Sequence, residues 1–334
     1  MENFSKIKDN VKFFLGMKNS KALKEDYDKV FRQVAFLNDK LDLGLKLTKC
    51  ISYKNKVPRN SLIEMQDLFN KIITEHSPAE VPTAKGKLRE DQLKFLDFSK
   101  EIIDELQANG LKPWISWGTL LGAVRHKGYI PWDDDIDIDL IREDFEKAKE
   151  YFKENYVWME PDYSIHSNKE IDEIMRKNPN KKVIVRYFSS LKVYKGESLN
   201  KSIWIDIFPQ DYYNDKFSLN DLKKLSDNMK DKIIEIDNCK KVINYYEEIL
   251  KNPDIISKNS DKITAGIGSY PLLFYNINYF LKKEDIFPLK TMQFENYELP
   301  CPNNPEKYLK MVYKDYMKFP KDVGLQRHVV EIKG

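Results

Sequence analysis

The chain has 334 residues, of which 41% are hydrophobic and 33% charged, with a formal net charge of +3. This length supports two or three structural units, and so balanced a charge gives no overall attraction to nucleic acid. Three widely separated cysteines, Cys50, Cys239 and Cys301, argue against a disulfide framework or a zinc site and fit a reducing compartment.

No stretch approaches the roughly 20 apolar residues of a membrane span. At the start, Phe4, Ile7, Val11, Phe14 and Leu15 recur at helical spacing among Lys6, Lys8, Lys12 and Lys18. The pattern fits an amphipathic helix packed on the body, or alternatively a helix lying on a membrane surface. Leu23, Tyr27, Val30, Val34, Leu37, Leu41 and Leu45 mark another helical face. Ser61, with Glu64 three residues on, opens a further helix through a capping box. HSPAEVPTAKG (76–86) collects breakers and reads as a linker.

Residues 88–110 predict a helix with Leu88, Phe95, Ile102 and Leu106 on one face, ended by Asn109-Gly110. The period then changes. LKPWISWG and DIDIDLI read as strands and REDFEKAKEYF as a helix. KVIVRYFSSLKVYKG holds one or two strands, and SIWIDIFPQD another. Helix returns from Leu219 to Leu250 and again near Pro271–Leu281, before a mixed, aromatic-rich segment over 290–320. The expected fold is therefore α+β, a small mixed sheet flanked by helical regions. The units are residues 1–95 (helical), 96–215 (core) and 216–334 (completing the core).

The feature that demands explanation is DDDIDID, residues 133–139. On a strand Asp135, Asp137 and Asp139 share one face, while Ile136, Ile138 and Leu140 share the other and can enter the core. Same-face carboxylates about 7 Å apart repel by roughly 2 kcal/mol per pair at an effective dielectric near 20. A solvated edge strand would be served as well by lysine. A calcium loop begun at Asp133 puts Ile138, and one begun at Asp135 puts Leu140, where the turn needs glycine. A magnesium site for phosphoryl chemistry removes the repulsion, because hard cations favour carboxylate oxygen.

Upstream residues favour that last reading. Gly118-Thr119 follows a strand and opens a helix, a turn at which backbone can approach a phosphate. Arg125, His126 and Lys127 add positive charge, or the potential for it, nearby in sequence. Asp206, between Ile205 and Ile207, supplies a third carboxylate that can ligate metal or act as a base. All five tryptophans, Trp114, Trp117, Trp132, Trp158 and Trp204, fall in this central piece, through core packing or because they surround a site.

WGTLLGAVRHKGYIPWDDDIDI resembles the signature of the LicD family, which includes bacterial phosphocholine transferases and, more distantly, the fukutin-related transferases. LKVYK (191–195) and WIDIFPQD (204–211) are similar to the family's next two blocks. FENYELPCPNNPEKYLKMVYKDYMKFP (294–320) is similar to its C-terminal pattern, with Lys314 where that pattern has glycine. The resemblance covers roughly residues 95–320. It implies a nucleotidyltransferase-like core and transfer of a phospho-substituent from a CDP-linked donor, typically CDP-choline, to a sugar hydroxyl of a cell-surface glycan precursor. Magnesium, or manganese in its place, is the implied cofactor. Asp135 and Asp137 are the implied metal pair, with Asp206 the third ligand; Asp133, Asp134 and Asp139 stay open. Gly118 and Thr119 would cradle a phosphate, and Arg125 and Lys192 would offset its charge, with His126 and Lys127 beside them. Choline would need an aromatic cage, for which Trp117, Trp132, Trp158, Trp204 and Tyr187 are candidates. CDP-ribitol, CDP-glycerol and CDP-ethanolamine are alternative donors, and a non-catalytic nucleotide- or glycan-binding module is the alternative class. The expected location is the cytoplasm, including the inner membrane face where a lipid-linked acceptor would lie; no nucleic-acid partner is expected.

Overall fold

The computed structural model describes residues 77–161, 167–179, 181–235, 239–275 and 277–319. The helical faces expected over residues 4–47 and the capping box at Ser61 lie outside them. The predicted linker is a short 3-10 turn at Pro78–Glu80 followed by irregular chain to Gly86. Helix α1 (Lys87–Ala108) follows, ending at Asn109 with Gly110 in the left-handed region. Its buried stripe contains Phe95, Ile102 and Leu106 as predicted, and also Gln92.

The sheet is assembled from β1 (Trp114–Ile115), β2 (Asp137–Ile141), β3 (Val157–Met159), β4 (Lys182–Tyr187), β5 (Ser190–Gly196) and β6 (Ser202–Tyr213). Their spatial order is β1-β2-β6-β5-β4-β3, and β7 (Lys262–Ala265) extends the sheet along the far half of β6. Strands β2 and β6 run parallel, and β6 runs antiparallel to β5 and β7. Between the strands lie α2 (Trp117–His126), α3 (Arg142–Asn155) and α4 (Ser167–Lys177). With α5 (Leu219–Glu235) and α6 (Cys239–Leu250) beyond β6, helices and a mixed sheet make the fold α+β. The chain then forms α7 (Tyr270–Phe274), β8 (Leu281–Lys282), α8 (Lys283–Ile286), the hairpin β9 (Lys290–Phe294) and β10 (Tyr297–Cys301), and α9 (Pro305–Tyr313).

The main core forms as the alternation requires. Ile136, Ile138, Leu140, Ile205 and Ile207 are fully buried, with Phe145, Ala148 and Phe152 of α3 in the same cluster.

Three expectations are corrected. The helix expected near Pro271–Leu281 is only α7: Ser269 caps it, Pro271 starts it, and it ends at Phe274. Beyond it Ile277, Tyr279 and Leu281 are buried alternately, the period of extended chain, and lead into β8. The strand read from LKPWISWG contracts to two residues. The acidic strand begins at Asp137, so Asp135 sits in the loop before it.

Candidate active site

The parallel pairing of β2 and β6 sets Asp137 directly beside Asp206, and the Asp206 N–H donates to the Ile136 carbonyl at 3.1 Å. The Thr119 hydroxyl accepts from the Asp137 N–H at 2.8 Å, tying the first turn of α2 to the head of β2. Buried Gln92 donates to the Asp133 carbonyl at 2.7 Å and holds the acidic loop from α1. Side-chain oxygens of Asp135, Asp137 and Asp206 consequently lie within 4.8 Å of one another, all half-buried.

Crowding like charges in a partly desolvated place is unfavourable, and the carboxyls register it. Burial, and then the charge of Asp135, push the Asp137 carboxyl well above the usual carboxylate range; the same two causes raise Asp133. Lys192, paired across strands with Asp206, places its Nζ 3.0 Å from the Asp206 carboxylate and 5.2 Å from the centre of the Trp204 ring. Burial opposes its charge, but Asp206 prevails and keeps its pKa above the ordinary value. Three converging carboxylates are a hard-oxygen donor set, and the upward shift of the Asp137 carboxyl reflects a shortfall of positive charge; both properties fit a divalent cation.

Asp139 departs from this group. It lies on the same face of β2, but it is fully buried. It accepts from Trp117 Nε1 at 3.3 Å, Gln210 Nε2 at 2.7 Å and the Tyr308 hydroxyl at 3.5 Å. Burial pushes its carboxyl up to about 8 against the pull of those donors. Asp139 is thus a buried tie between α2, β6 and α9. Trp117 belongs to this tie, buried beside Tyr308, rather than offering an open face.

The remaining expected residues divide. Gly118 lies against the acidic loop, where a Cβ would come 2.9 Å from Asp133 Oδ2. Arg125 points its charge near Asp133, donates to the Tyr316 carbonyl at 2.9 Å, and lies over Trp132, which also stacks on Phe319 and meets the His126 ring edge-on. Burial lowers the Arg125 pKa to about 10. His126 is not a cation near neutrality: burial, and then Arg125, lower its pKa to about 4, and its Nε2 accepts from Arg125 Nε at 3.0 Å. Lys127 is the left-handed C-cap of α2 and lines an outer groove with Met292, Pro305 and Glu306. Trp158 sits on β3, at the opposite edge of the sheet from β2, under Lys153. Trp204 and Tyr187 lie on strands beside Lys192, and the Tyr187 hydroxyl meets that of Tyr194.

Three tyrosines that sequence reasoning missed are within electrostatic reach of the carboxylates. Tyr275 and Tyr313 are each 38% exposed, yet burial raises both phenols, with Asp137 the next cause in each case. Tyr270 feels Lys192 and Asp206. The only sequence signal for them was the aromatic richness of the chain's last third.

Fold and site together define an α+β protein with a carboxylate triad on adjacent strands, faced by a lysine and walled by aromatic rings. Residues 110–228, which carry all three carboxylates, match the sequence model of the LicD/FKTN/FKRP family's nucleotidyltransferase domain. The lipopolysaccharide cholinephosphotransferase LicD of Haemophilus influenzae is 24% identical over 273 residues, covering 74% of this chain and 97% of that protein. An uncharacterized protein of Rickettsia prowazekii is 35% identical over 106 residues, 30% of this chain, and the match spans 40% of that relative's length. The human ribitol 5-phosphate transferase FKRP is 41% identical over 46 residues, 14% of this chain and 9% of FKRP.

Proposed function

We propose that this protein transfers phosphocholine, or a similar phospho-substituent, from a CDP-linked donor to a sugar hydroxyl of a cell-surface glycan precursor, releasing CMP. The observation that carries the reading is the Asp135–Asp137–Asp206 triad within a LicD-family domain. Similarity over nearly the full length of a cholinephosphotransferase favours choline as the donor headgroup, and the FKRP match keeps ribitol as the alternative.

Bare carboxylates would repel a donor pyrophosphate, so the site requires a divalent cation, magnesium or manganese in its place. Such an ion would supply the positive charge that a donor pyrophosphate and a departing CMP call for. Asp135, in the loop before β2, and Asp137, the first residue of β2, would hold it. Asp206 holds it from β6 or takes the proton of the acceptor hydroxyl. The acceptor oxygen forms its new bond to the phosphorus bearing the headgroup while the bond from that phosphorus to the CMP oxygen breaks. Lys192 fixes Asp206 and lends positive charge beside it. Gly118 and Thr119, in the first turn of α2, offer the approach for a phosphate, with Arg125 near Asp133. Such a reaction runs in the cytoplasm, at the inner membrane face where lipid-linked acceptors are reached.

The test is CMP release from CDP-choline, CDP-ethanolamine, CDP-glycerol and CDP-ribitol, with magnesium and with chelator. Turnover should need magnesium and vanish in Asp135→Asn and Asp206→Asn proteins that keep the wild-type circular dichroism. No release from any donor, or release untouched by chelation, would reject the assignment. Binding of CDP-choline without turnover would mark a binding module.

A further inference from the structure

Tyr270 and Tyr275 flank α7 at one side of the acidic floor. Their rings stand at 90° with centroids 5.7 Å apart, and Trp117 backs Tyr275 at 5.4 Å. Tyr270 is tied to Ser190, two residues before Lys192 on β5, and Tyr275 packs on Trp117, whose Nε1 donates to Asp139 on the face of β2 that also carries Asp137. Tyr313, at the end of α9, stands near Asp133, Asp135 and Asp137 as well.

These rings are held by buried polar ties. The Tyr270 N–H donates to Ser190 Oγ at 3.0 Å, and Ser269 caps α7. The preceding turn is clamped from below. Arg142 grips buried Asp211 in a two-pronged pair at 2.7 and 2.8 Å, and Asp211 accepts from the Ile267 N–H at 2.6 Å. Gly268 is in the left-handed region with Tyr246 and Ser189 so close that any side chain would collide. Tyr275 and Tyr313 are open to solvent rather than packed into the core.

We propose that Tyr275, with Tyr270 and Tyr313, forms the subsite for the donor's headgroup and selects a quaternary ammonium. The inference rests on the phosphoryl-transfer reading above. A quaternary ammonium has no hydrogen to donate, so it is recognised by ring faces and by nearby negative charge, both of which converge here. A polyol headgroup would instead need its hydroxyls matched by hydrogen-bonding groups.

The test is calorimetric binding of CDP-choline and CDP-ethanolamine, which differ by three methyl groups, to the full chain with magnesium and no acceptor. Wild type should prefer CDP-choline by about ten-fold. Tyr275→Leu should lose about ten-fold for CDP-choline and change CDP-ethanolamine by less than about two-fold, while Tyr275→Phe, which keeps the ring, retains the preference. Equal loss for both donors overturns the inference. So does a Phe variant as weak as the Leu one, tighter wild-type binding of CDP-ribitol than of CDP-choline, or no binding of either donor. A preserved choline preference without CMP release would reject the transfer reading and keep the subsite. CMP release indifferent to the rings would do the reverse.

Discussion

Asp137→Asn should make the metal-free protein more stable and deaf to magnesium. The oxygens of Asp135, Asp137 and Asp206 lie within 4.8 Å of one another, and at an effective dielectric near 20 two full charges at that separation repel by about 3.5 kcal/mol. Asp137 has two such neighbours. Lys192 offsets part of the charge on Asp206, and the raised pKa of Asp137 means that proton uptake already relieves part of the rest. The relief left for the amide is therefore a fraction of the sum, about 1–3 kcal/mol, or a rise in Tm of roughly 1.5–4 °C for a protein of this size. In wild type, magnesium at about 100 times its Kd should add ~2.7 kcal/mol. Thermal unfolding of both proteins in chelator and in magnesium, with sodium chloride at matched ionic strength to remove simple screening, measures all of this. A variant that melts below wild type in chelator, or gains as much from magnesium, would refute the reasoning.

Other sites give further expectations. Asp139→Ala should leave Trp117 Nε1 and Gln210 Nε2 without their buried acceptor and cost about 2–5 kcal/mol in urea unfolding; a loss below about 1 kcal/mol would show that Asp139 is no tie. Arg142→Met strands Asp211, which is 1% exposed, and should cost about 3–5 kcal/mol by the same measurement, whereas a neutral result would release the α7 mount from this clamp. His126 has its pKa lowered to about 4 by burial, so the unfolded chain takes up its proton first as pH falls below the ordinary value. Above that value it contributes nothing to pH dependence; through the window from about 6.5 down to 4 stability is lost, on the order of 1–2 kcal/mol after allowance for solvent screening. His126→Gln should flatten that part of the stability–pH curve, and an unchanged slope would exclude His126 as its source.

The floor of the site was legible because its logic is local. Alternation in DDDIDID separates Asp137 from Ile136 and Ile138 on purely geometric grounds, and the same rule exposes Asp206 between Ile205 and Ile207. Alternation identifies a face but not what covers it. Asp139 shares the face of Asp137, yet Gln210 and Tyr308, 71 and 169 residues away, close over it. His126 looked like a potential cation because sequence shows the residue type but not its desolvation. Tryptophans drew attention as cage candidates through rarity, although Trp117 went to the core and Trp158 to the far edge of the sheet. The tyrosines that reach the site were hidden because only tertiary packing brings α7 and the end of α9 to it. The helix expected near Pro271–Leu281 failed for a related reason: its apolar run is long enough for either period, and the alternate burial of Ile277, Tyr279 and Leu281 settles it as extended chain.

The division between floor and walls bears on how such a site changes substrate. Asp135, Asp137, Lys192 and Asp206 all fall inside residues 110–228, the span that matches the family's domain, whereas Tyr270, Tyr275 and Tyr313 fall beyond it. On the proposed reading the floor's task, to neutralise a pyrophosphate, would be the same whatever group the donor carries, and its constraints are tight: a parallel register that aligns Asp137 with Asp206, and a lysine paired across the next strand. On the same reading the walls would meet the part of the donor that differs. They hang on α7 and α9, fixed to the sheet through Ser190, Asp211 and Asp139 rather than through the triad's own side chains. A ring in the wall can therefore be exchanged without disturbing the carboxylates. On this argument, substitutions at Tyr275 should shift donor preference while leaving the magnesium-dependent stabilisation intact, and Asp137→Asn should abolish the second whatever the donor.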